Sequence, residues 1–421
     1  MNLLESLVPV DFRRALDAPL RRFFVGTLIN SFAFGLTLSL YVVYLHNVHR
    51  FSVGFSTWLL AGASLAGLIA SPVWGTLTDR FGPVAVLLVG AVTQAGALAF
   101  WANIRTAASA VIGALLLAIF SGNGWGPGST LLVRLVPPEH RQRAYGFNFM
   151  LVNLGIGAGG LVSASVVDLR RPTTFHWLYL ANALVSLCAG ALYATLWRHG
   201  RVDRHAPEVE AATDAGGWRD VLGDRRLVLY AVASLVLMLG GYSAVDAGLS
   251  LFVVNNLHMS VHVIGLILFV NTATIVASQL FVLNLIARRS RTRVLAAVAL
   301  MWSVFWVVLA LAHSMDRSLA LAALCAAMVV FAVGETMLSP VGPAIINDIA
   351  PEALRGRYNA TQGLTWGVSG TTAPAITALF FDHGLSGWWP ASVAGLALGG
   401  GALMLNLRRH LSPAQDNRAS D

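Results

Sequence analysis

Long apolar runs recur along the whole sequence and are separated mostly by short polar breaks. A helix needs about 20 mostly apolar residues to cross ~30 Å of hydrocarbon. Of the 421 residues, 56% are hydrophobic and only 11% are charged, whereas soluble domains carry about 25% charge. The sequence therefore predicts an all-α membrane protein with twelve transmembrane helices. The predicted spans are 23–46, 55–76, 84–103, 107–134, 144–167, 176–197, 228–255, 263–286, 294–313, 319–346, 357–381 and 388–407.

The arginines indicate the orientation of these spans. All 28 basic residues are Arg, and an even number of spans puts both chain ends on one side of the membrane. That side receives 23 arginines and the opposite side 5. Because cytoplasmic loops carry the excess of positive charge, we predict that both termini are cytosolic. Arg as the sole cation, with abundant Ala and Gly, favours the inner membrane of a bacterium. The formal charge of +8 does not indicate nucleic-acid binding, since the cations lie between apolar spans.

The chain divides into two similar halves. The boundaries that we predict are a cytosolic lead-in 1–22, a six-helix bundle 23–197, a hydrophilic linker 198–227, a second six-helix bundle 228–408 and a cytosolic tail 409–421. Residues 38–43 (LSLYVV) match 249–254 (LSLFVV) at an offset of 211. Parallel repeats of this size are typical of secondary transporters, which rock one half against the other. At an offset of 213, Pro127 matches Pro340, Pro138-Glu139 matches Pro351-Glu352, Tyr145 matches Tyr358, and Gly157 matches Gly370.

A short charged segment, Gly75-Thr-Leu-Thr-Asp-Arg-Phe-Gly82, lies in the predicted loop between spans 2 and 3. Glycine permits tight turns there, and Asp79 and Arg80 form a charge pair at the membrane surface. The segment resembles the G-x-x-x-D-R-x-G loop signature of the major facilitator superfamily. With twelve spans and a central linker, the resemblance covers essentially the whole chain.

The resemblance implies a role for this loop in gating, carried by Gly75, Asp79, Arg80 and Gly82. It implies that Asp79 braces the loop against the cytosolic end of span 11 and against a basic residue near span 4, for which Arg134 is the candidate. A helix start near Arg357 would favour the carboxylate through its exposed amides and dipole. The corresponding segment of the second half, 284–293, is rich in Arg and lacks the D-R-x-G pattern, so we expect a weaker or different brace there.

Two acids lie well inside the predicted spans, Asp246 in span 7 and Glu335 in span 10. A carboxylate at mid-bilayer costs ~2.5–3.5 kcal/mol and usually serves ion or proton traffic. We predict that both residues couple transport to protons. The alternative is that each is a hydrogen-bonded acid that only fixes helix packing. The resemblance implies that spans 1, 4, 7 and 10 line a central cavity, which places both acids on the substrate path.

The rest of the expected cavity is polar and aromatic without cations, which suits a moderately apolar organic molecule, cations included, better than an anion. For each Asn or aromatic residue, plain helix packing is an equal alternative. The predicted cavity residues are Asn30, Phe34, Thr37, Asn123, Trp125, Asn153, Tyr242, Asn271 and Trp366.

Two functions fit these features. The first is a proton-coupled exporter of amphipathic small molecules, resembling the drug:proton antiporter branch of the superfamily. Against that branch, the stretch 115–120 of span 4 has no Arg and the glycine run 155–160 of span 5 has no Pro. The second is an uptake symporter or facilitator for a neutral solute such as a sugar or peptide-like nutrient. We expect a monomer in the lipid bilayer, with a small-molecule substrate and protons as partners, no enzymatic activity, no cofactor and no metal.

Overall fold

The computed structural model describes residues 16–38, 40–121, 125–168, 170–200 and 217–418. Within these ranges the regular structure is helical, without strands, and the all-α prediction is confirmed. The first half contains α1 (Ala18–Thr37, then Tyr41–Val43 and a π-helical turn Tyr44–Val48), α2 (Val53–Phe81), α3 (Pro83–Trp101), α4 (Ala107–Ser121 and Trp125–Leu135), α5 (Arg141–Val166) and α6 (Thr173–Ala194).

The second half repeats this order after a short linker helix, Trp218–Gly223. Its first span is interrupted, as described below, and the others are continuous. They are α7 (Arg225–Leu239, Tyr242–Ala244, a π-helical turn Val245–Leu249, and Ser250–Asn255), α8 (Val261–Ile286), α9 (Arg291–Leu311), α10 (Arg317–Ile349), α11 (Arg355–Asp382) and α12 (Trp389–Leu407).

Nine of the twelve helices in the described ranges are long and apolar enough to cross a membrane on their own. The other three are α1, α4 and α11. The first two turns of α1 contain Arg21 and Arg22, and α11 is rich in Thr and Gly. The described parts of α4, Ala107–Ser121 and Trp125–Leu135, are 15 and 11 residues long. These three helices are accommodated by packing against their neighbours, since a polar stripe that faces protein need not face lipid.

The buried apolar side chains form separate cores in the two halves. One cluster lies wholly within residues 221–411, and two lie within the first half, apart from Ala344 of α10. In the first half α1 packs along α5, where a side chain at Gly155 or Gly159 would collide with the backbone of α1. The halves meet where α2 packs on α11 and where α5 packs on α8 and α10.

We call one side of the molecule the linker face. It carries the linker helix, the turn at Gly82, the α8–α9 loop (residues 287–290) and the starts of α5 and α11. The hydrogen bonds that join the two halves lie toward this face, for example from Gln142 to the Ile286 carbonyl and from Ser71 to the Ala360 carbonyl. The arginine distribution predicts that the linker face is cytosolic.

Two sequence predictions need correction here. The charged segment between spans 2 and 3 is mostly helical, because α2 continues through Asp79 and Arg80 to Phe81. The loop is reduced to Gly82, whose φ of 87° suits glycine, and Pro83 then starts α3. Likewise α1 begins at Ala18, five residues before the predicted bundle boundary. The linker boundaries stay a prediction, since residues 201–216 lie outside the described residues.

Candidate functional site

The first span of the second half, α7, is broken at Gly240 and Gly241. The Gly240 carbonyl accepts a hydrogen bond of 2.7 Å from Trp306 Nε1, so a backbone group released by the break is satisfied by a side chain. A Cβ atom at Gly241 would overlap the ring of Trp302, so only glycine fits there. Interrupted helices and π-helical turns recur at functional sites of membrane transporters, and the π-helical turn beyond this break carries Asp246.

The two intramembrane acids lie close enough to interact electrostatically. Glu335 of α10 is 3% exposed, and its Oε2 accepts a 2.7 Å hydrogen bond from Asn271 Nδ2 of α8. Tyr242 and Asp246 are both close enough to this carboxyl group to interact with it electrostatically. Asp246 itself is exposed. The site therefore holds one sealed carboxyl group and one accessible carboxyl group.

Aromatic rings from two other helices pack against Tyr242. Its ring centroid lies 5.0 Å from that of Trp366 in α11 and 5.5 Å from that of Trp302 in α9. Trp302 is fixed in turn by a 3.1 Å hydrogen bond from its Nε1 to the Phe331 carbonyl. Such rings offer apolar surface and a negative face that attracts cations. Trp302 is absent from the predicted cavity residues, although the neighbouring Gly-Gly pair was a readable sign of an interrupted helix.

The structure groups some of the predicted cavity residues and separates others. Tyr242, Asn271 and Trp366 lie at the acid pair or against its aromatic partners, as given above.

The predicted cavity residues of the first half have other surroundings. Asn30 and Phe34 are exposed on α1, while the Thr37 hydroxyl accepts a 2.8 Å hydrogen bond from Asn182 within its own half. Asn153 donates to the Phe149 carbonyl of its own helix. Asn123 lies outside the described residues, and the side chain of Trp125 is not among those described.

A second functional region closes the linker face between α2 and α11. The Asp79 carboxylate accepts hydrogen bonds from the backbone amides of Gly356 at 2.6 Å and Arg357 at 3.2 Å, in the first turn of α11. Its side chain is 6% exposed and lies 3.6 Å from Arg357 Nε. We call this the amide contact. The positive end of the α11 dipole favours a carboxylate at this place, and the absence of side chains at Gly75 and Gly356 lets the backbones approach.

The other predicted gating residues have different surroundings. Arg134 donates a 3.2 Å hydrogen bond to the Gly200 carbonyl. Its electrostatic interaction with Glu352 is stronger than its interaction with Asp79. Arg80 is exposed, and its guanidinium lies 5.3 Å from the centroid of the adjacent Phe81 ring. The signature arginine thus sits at the surface, while the signature acid joins the halves.

A third region joins the halves through side-chain charges and was not predicted. Asp348 at the end of α10 binds Arg141 of the first half at 2.5 Å and Arg291 of the second half at 2.7 Å. We call this the charge contact. The sequence predicted a weaker or different brace at segment 284–293 of the second half, and the charge contact includes Arg291 of that segment. The arginines of segment 284–293 could be identified in the sequence, but only the fold shows that Asp348 is the acid that pairs with Arg291.

Between these two contacts lies a buried network of uncharged polar side chains. Asn347 donates to the Tyr145 hydroxyl at 2.7 Å, which in turn lies 2.7 Å from the Ser129 hydroxyl. Asn359 donates to Asn347 Oδ1 at 2.9 Å. Tyr145 and Ser129 belong to the first half and both asparagines to the second, so the network crosses the interface. The sequence showed that Tyr145 has a counterpart, Tyr358, in the second half, but it did not predict the hydrogen-bond partners of Tyr145.

Comparison with known proteins gives matches over nearly the whole chain. The sequence profile of the Major Facilitator Superfamily matches residues 23–254 and 234–420. An uncharacterized MFS-type transporter of Bacillus subtilis (strain 168), YqjV, is 20% identical over 349 residues, which are 81% of each chain.

Two solved structures have the same arrangement of helices. A bacterial homologue of the iron transporter ferroportin, in its outward-facing state, superposes with a TM-score of 0.77 at 12% identity, over 93% of this chain and 100% of the other. The human organic anion transporter MFSD10 (TETRAN) superposes with a TM-score of 0.63 at 16% identity, over 95% and 99%. At these identities the likeness concerns the fold.

Proposed function

Since the chain belongs to the major facilitator superfamily and is a membrane transporter, we propose that it exports amphipathic small organic molecules in exchange for protons. It works as a monomer in a bacterial inner membrane, with the linker face toward the cytosol. The two halves alternate between states that open the region of α7 and α10 to one side and then to the other.

The observation that carries this proposal is the pairing of an accessible acid with a sealed acid. The side chain of Asp246 is not enclosed by protein, whereas that of Glu335 is, and the proposal assigns Asp246 to the aqueous path, where it exchanges a proton or a cation with solvent. Tyr242 interacts electrostatically with both Glu335 and Asp246, so the two carboxyl groups share one neighbour. A carboxyl group that alternates between a hydrated and an enclosed position can take up a proton on one side and release it on the other.

The same surroundings support the substrate class. Two carboxyl groups attract a cation, and the rings of Tyr242, Trp302 and Trp366 supply apolar surface for an organic molecule. Of the two solved structures with this fold, one is a homologue of the iron transporter ferroportin and the other is an organic anion transporter. One fold hosts many substrates, so the side chains at the site, and not the fold, indicate the substrate class.

Transport by proteoliposomes tests the proposal. The purified protein is reconstituted, an inside-acidic pH gradient is imposed, and uptake of the fluorescent lipophilic cation ethidium is followed together with proton efflux by a trapped pH dye. We expect ethidium uptake that requires the gradient. Glu335→Gln and Asp246→Asn should remove the coupled proton efflux, since neither amide titrates.

Asp382→Asn is the matched control, because Asp382 is an exposed acid at the far end of α11 and should leave both fluxes unchanged. Uptake that is independent of the pH gradient, or unchanged proton efflux in both acid variants, would contradict proton exchange. Gradient-driven accumulation of a neutral solute, with no ethidium flux, would instead indicate a nutrient symporter.

A further inference from the structure

The turns that follow the second helix of each half differ in charge. In the first half, Asp79 supplies the acid of the amide contact. In the second half, the α8–α9 loop carries Arg288 and Arg289, and the first turn of α9 adds Arg291 and Arg293. No acid lies between residues 284 and 293. The start of α9 is therefore a positive helix end surrounded by cations, an arrangement that a carboxylate would stabilise.

The carboxylate that reaches this helix start comes from the segment Leu411–Arg418, which we call the tail segment. Asp416 is fully buried. Its Oδ1 accepts hydrogen bonds of 2.9 Å from the backbone amide and from the hydroxyl of Thr292, and its Oδ2 accepts one of 2.8 Å from Ser290. Asp416 thus caps α9 from a distant part of the chain, as an N-cap residue would do from the preceding position.

The cap is itself held by charge. Arg408 Nε and Arg418 Nε lie 3.6 Å and 3.3 Å from Asp416 Oδ2. Asn417 donates hydrogen bonds of 3.0 Å and 3.1 Å to the carbonyls of Ala287 and Arg289. The tail segment therefore binds both ends of the α8–α9 loop, where α8 ends and where α9 begins.

The tail segment also holds the arginine of the charge contact. The Arg291 amide donates to the Asp416 carbonyl at 3.0 Å. Its Nη1 donates to the Gln415 carbonyl at 2.8 Å and, in the other direction, to Asp348 Oδ2 at 2.7 Å. Gln415 Nε2 donates to the Asp348 carbonyl at 3.2 Å. The tail segment holds Arg291 in a position where it bonds only to Oδ2 of Asp348. Oδ1 of Asp348 is therefore available to Arg141.

We propose that Asp416 and Gln415 of the tail segment are positioning residues of the charge contact, which hold Arg291 so that Asp348 can bind Arg141 of the other half. The tail segment thereby favours the state that is closed on the linker face. Without it, Arg291 can rotate to form a bidentate pair with Asp348, and Arg141 loses its partner. The inference requires that the halves rock, but it is independent of the substrate and of proton coupling.

The distance between the halves in the full-length protein tests this proposal. Spin labels are placed at His199 and Arg225, which are exposed on the linker face in different halves, after both cysteines are replaced by Ala. Pulsed electron resonance in lipid nanodiscs then gives the ratio of closed to open molecules. For Asp416→Asn we expect that ratio to fall by at least about fivefold, the lower end of coupling between sites. Asp416→Glu should restore part of it.

Asp316→Asn is the matched control. Asp316 also caps a helix start, by accepting from the amides of Ser318 and Leu319 at the start of α10, but it lies away from the linker face. We expect it to leave the ratio unchanged. Gln415→Ala keeps Asp416 and removes the bond from the Gln415 side chain to the Asp348 carbonyl, together with the bond that Gln415 Oε1 accepts from the Ser412 amide. A smaller shift in the same direction is therefore expected even where Asp416→Asn fails to fold.

A double-mutant cycle separates positioning from simple stabilisation. In an Asp348→Asn background the charge contact is already lost, so adding Asp416→Asn should cause no further opening. An unchanged ratio in Asp416→Asn, or a shift that adds fully to that of Asp348→Asn, would overturn the proposal. Because the readout is a distance and not transport, failure of the proton-exchange experiment leaves this result intact.

Discussion

At the amide contact one carboxylate meets backbone amides at the start of α11, whereas at the charge contact three charged side chains meet one another. The first depends on how closely two backbones approach, and glycines at positions 75 and 356 make that approach possible. The second depends on side-chain orientation, which the tail segment fixes. The two halves of a duplicated chain thus close one face by unlike means.

This difference sets how each contact responds to change. An amide contact tolerates little added volume, because backbone atoms cannot rotate away as the end of a side chain can. A charge contact tolerates volume better but responds to the loss of a charge and to salt. Substitutions that add volume or remove a charge at each contact test that contrast.

Added volume at the amide contact should have the largest effect. A Cβ atom at Gly356 would overlap the Gly75 carbonyl and the Asp79 carboxylate. Gly356→Val should therefore keep α2 and α11 apart, at a cost of about 3 kcal/mol or roughly 100-fold in closure. Transport should fall to background while size-exclusion behaviour is retained. Gly370→Val, on the same helix with open space around it, is the control, and equal loss in both variants would refute the argument.

Removing the negative charge should weaken the amide contact more than the charge contact. Asp79→Asn leaves an amide group facing two backbone amides, which we expect to reduce closure by about 2–3 kcal/mol, or roughly 50-fold. Asp348→Asn should cost less, about 1–2 kcal/mol, because its side chain is 15% exposed and solvent screens the charges. Distance measurements between labelled halves give both values. Raising the salt concentration should weaken closure in Asp79→Asn more than in Asp348→Asn, which has already lost the charge contact.

The repeated tyrosines permit the same substitution in each half. The Tyr145 hydroxyl joins the halves through Asn347, whereas the Tyr358 hydroxyl donates to Asp224 at 2.8 Å within the second half. Tyr145→Phe should lower closure by about 1 kcal/mol, or roughly fivefold, and Tyr358→Phe should leave closure unchanged. The distance between labels on the two halves measures closure in each variant. Equal effects would mean that Tyr145 and Tyr358 contribute to closure alike.

The smallest effect concerns acid stability at the start of α7. Burial alone would raise the pKa of Asp224, but hydrogen bonds from Arg226 and Tyr358 lower the pKa below its usual value. A lowered folded-state pKa gives stability that is present above the unfolded pKa of about 3.9 and is lost as pH falls through the folded value. Asp224→Asn should therefore lower the melting temperature at about pH 7, by an amount equivalent to at most about 1 kcal/mol.

That deficit should shrink as the pH falls below the unfolded pKa of about 3.9, and it should disappear once the pH has passed the lowered folded pKa, where Asp224 is protonated in the parent chain as well. Thermal unfolding in detergent across this pH range measures the difference between the two chains. A constant difference at all pH values would show that Asp224 contributes through its shape and not through its charge.

Composition and span periodicity predicted the all-α architecture because both follow from the need to satisfy backbone groups in lipid. Asp246 and Glu335 could be singled out because acids are rare within spans, and the structure brings them together. Pairings across the interface could not be predicted. Asp348 with Arg141 and Asn347 with Tyr145 join residues about 200 positions apart, and only the packing of the halves decides such pairs. The span 2 motif was misplaced as a loop because glycine and charge also end helices.

The turn at Gly82 has a mechanical consequence. A single residue separates the end of α2 from the start of α3, and its φ of 87° lies where other side chains are strained. The connection between α2 and α3 is therefore rigid and does not act as a flexible linker. When α2 swings away from α11, α3 is pulled along, so the displacement spreads into the first bundle as rigid motion.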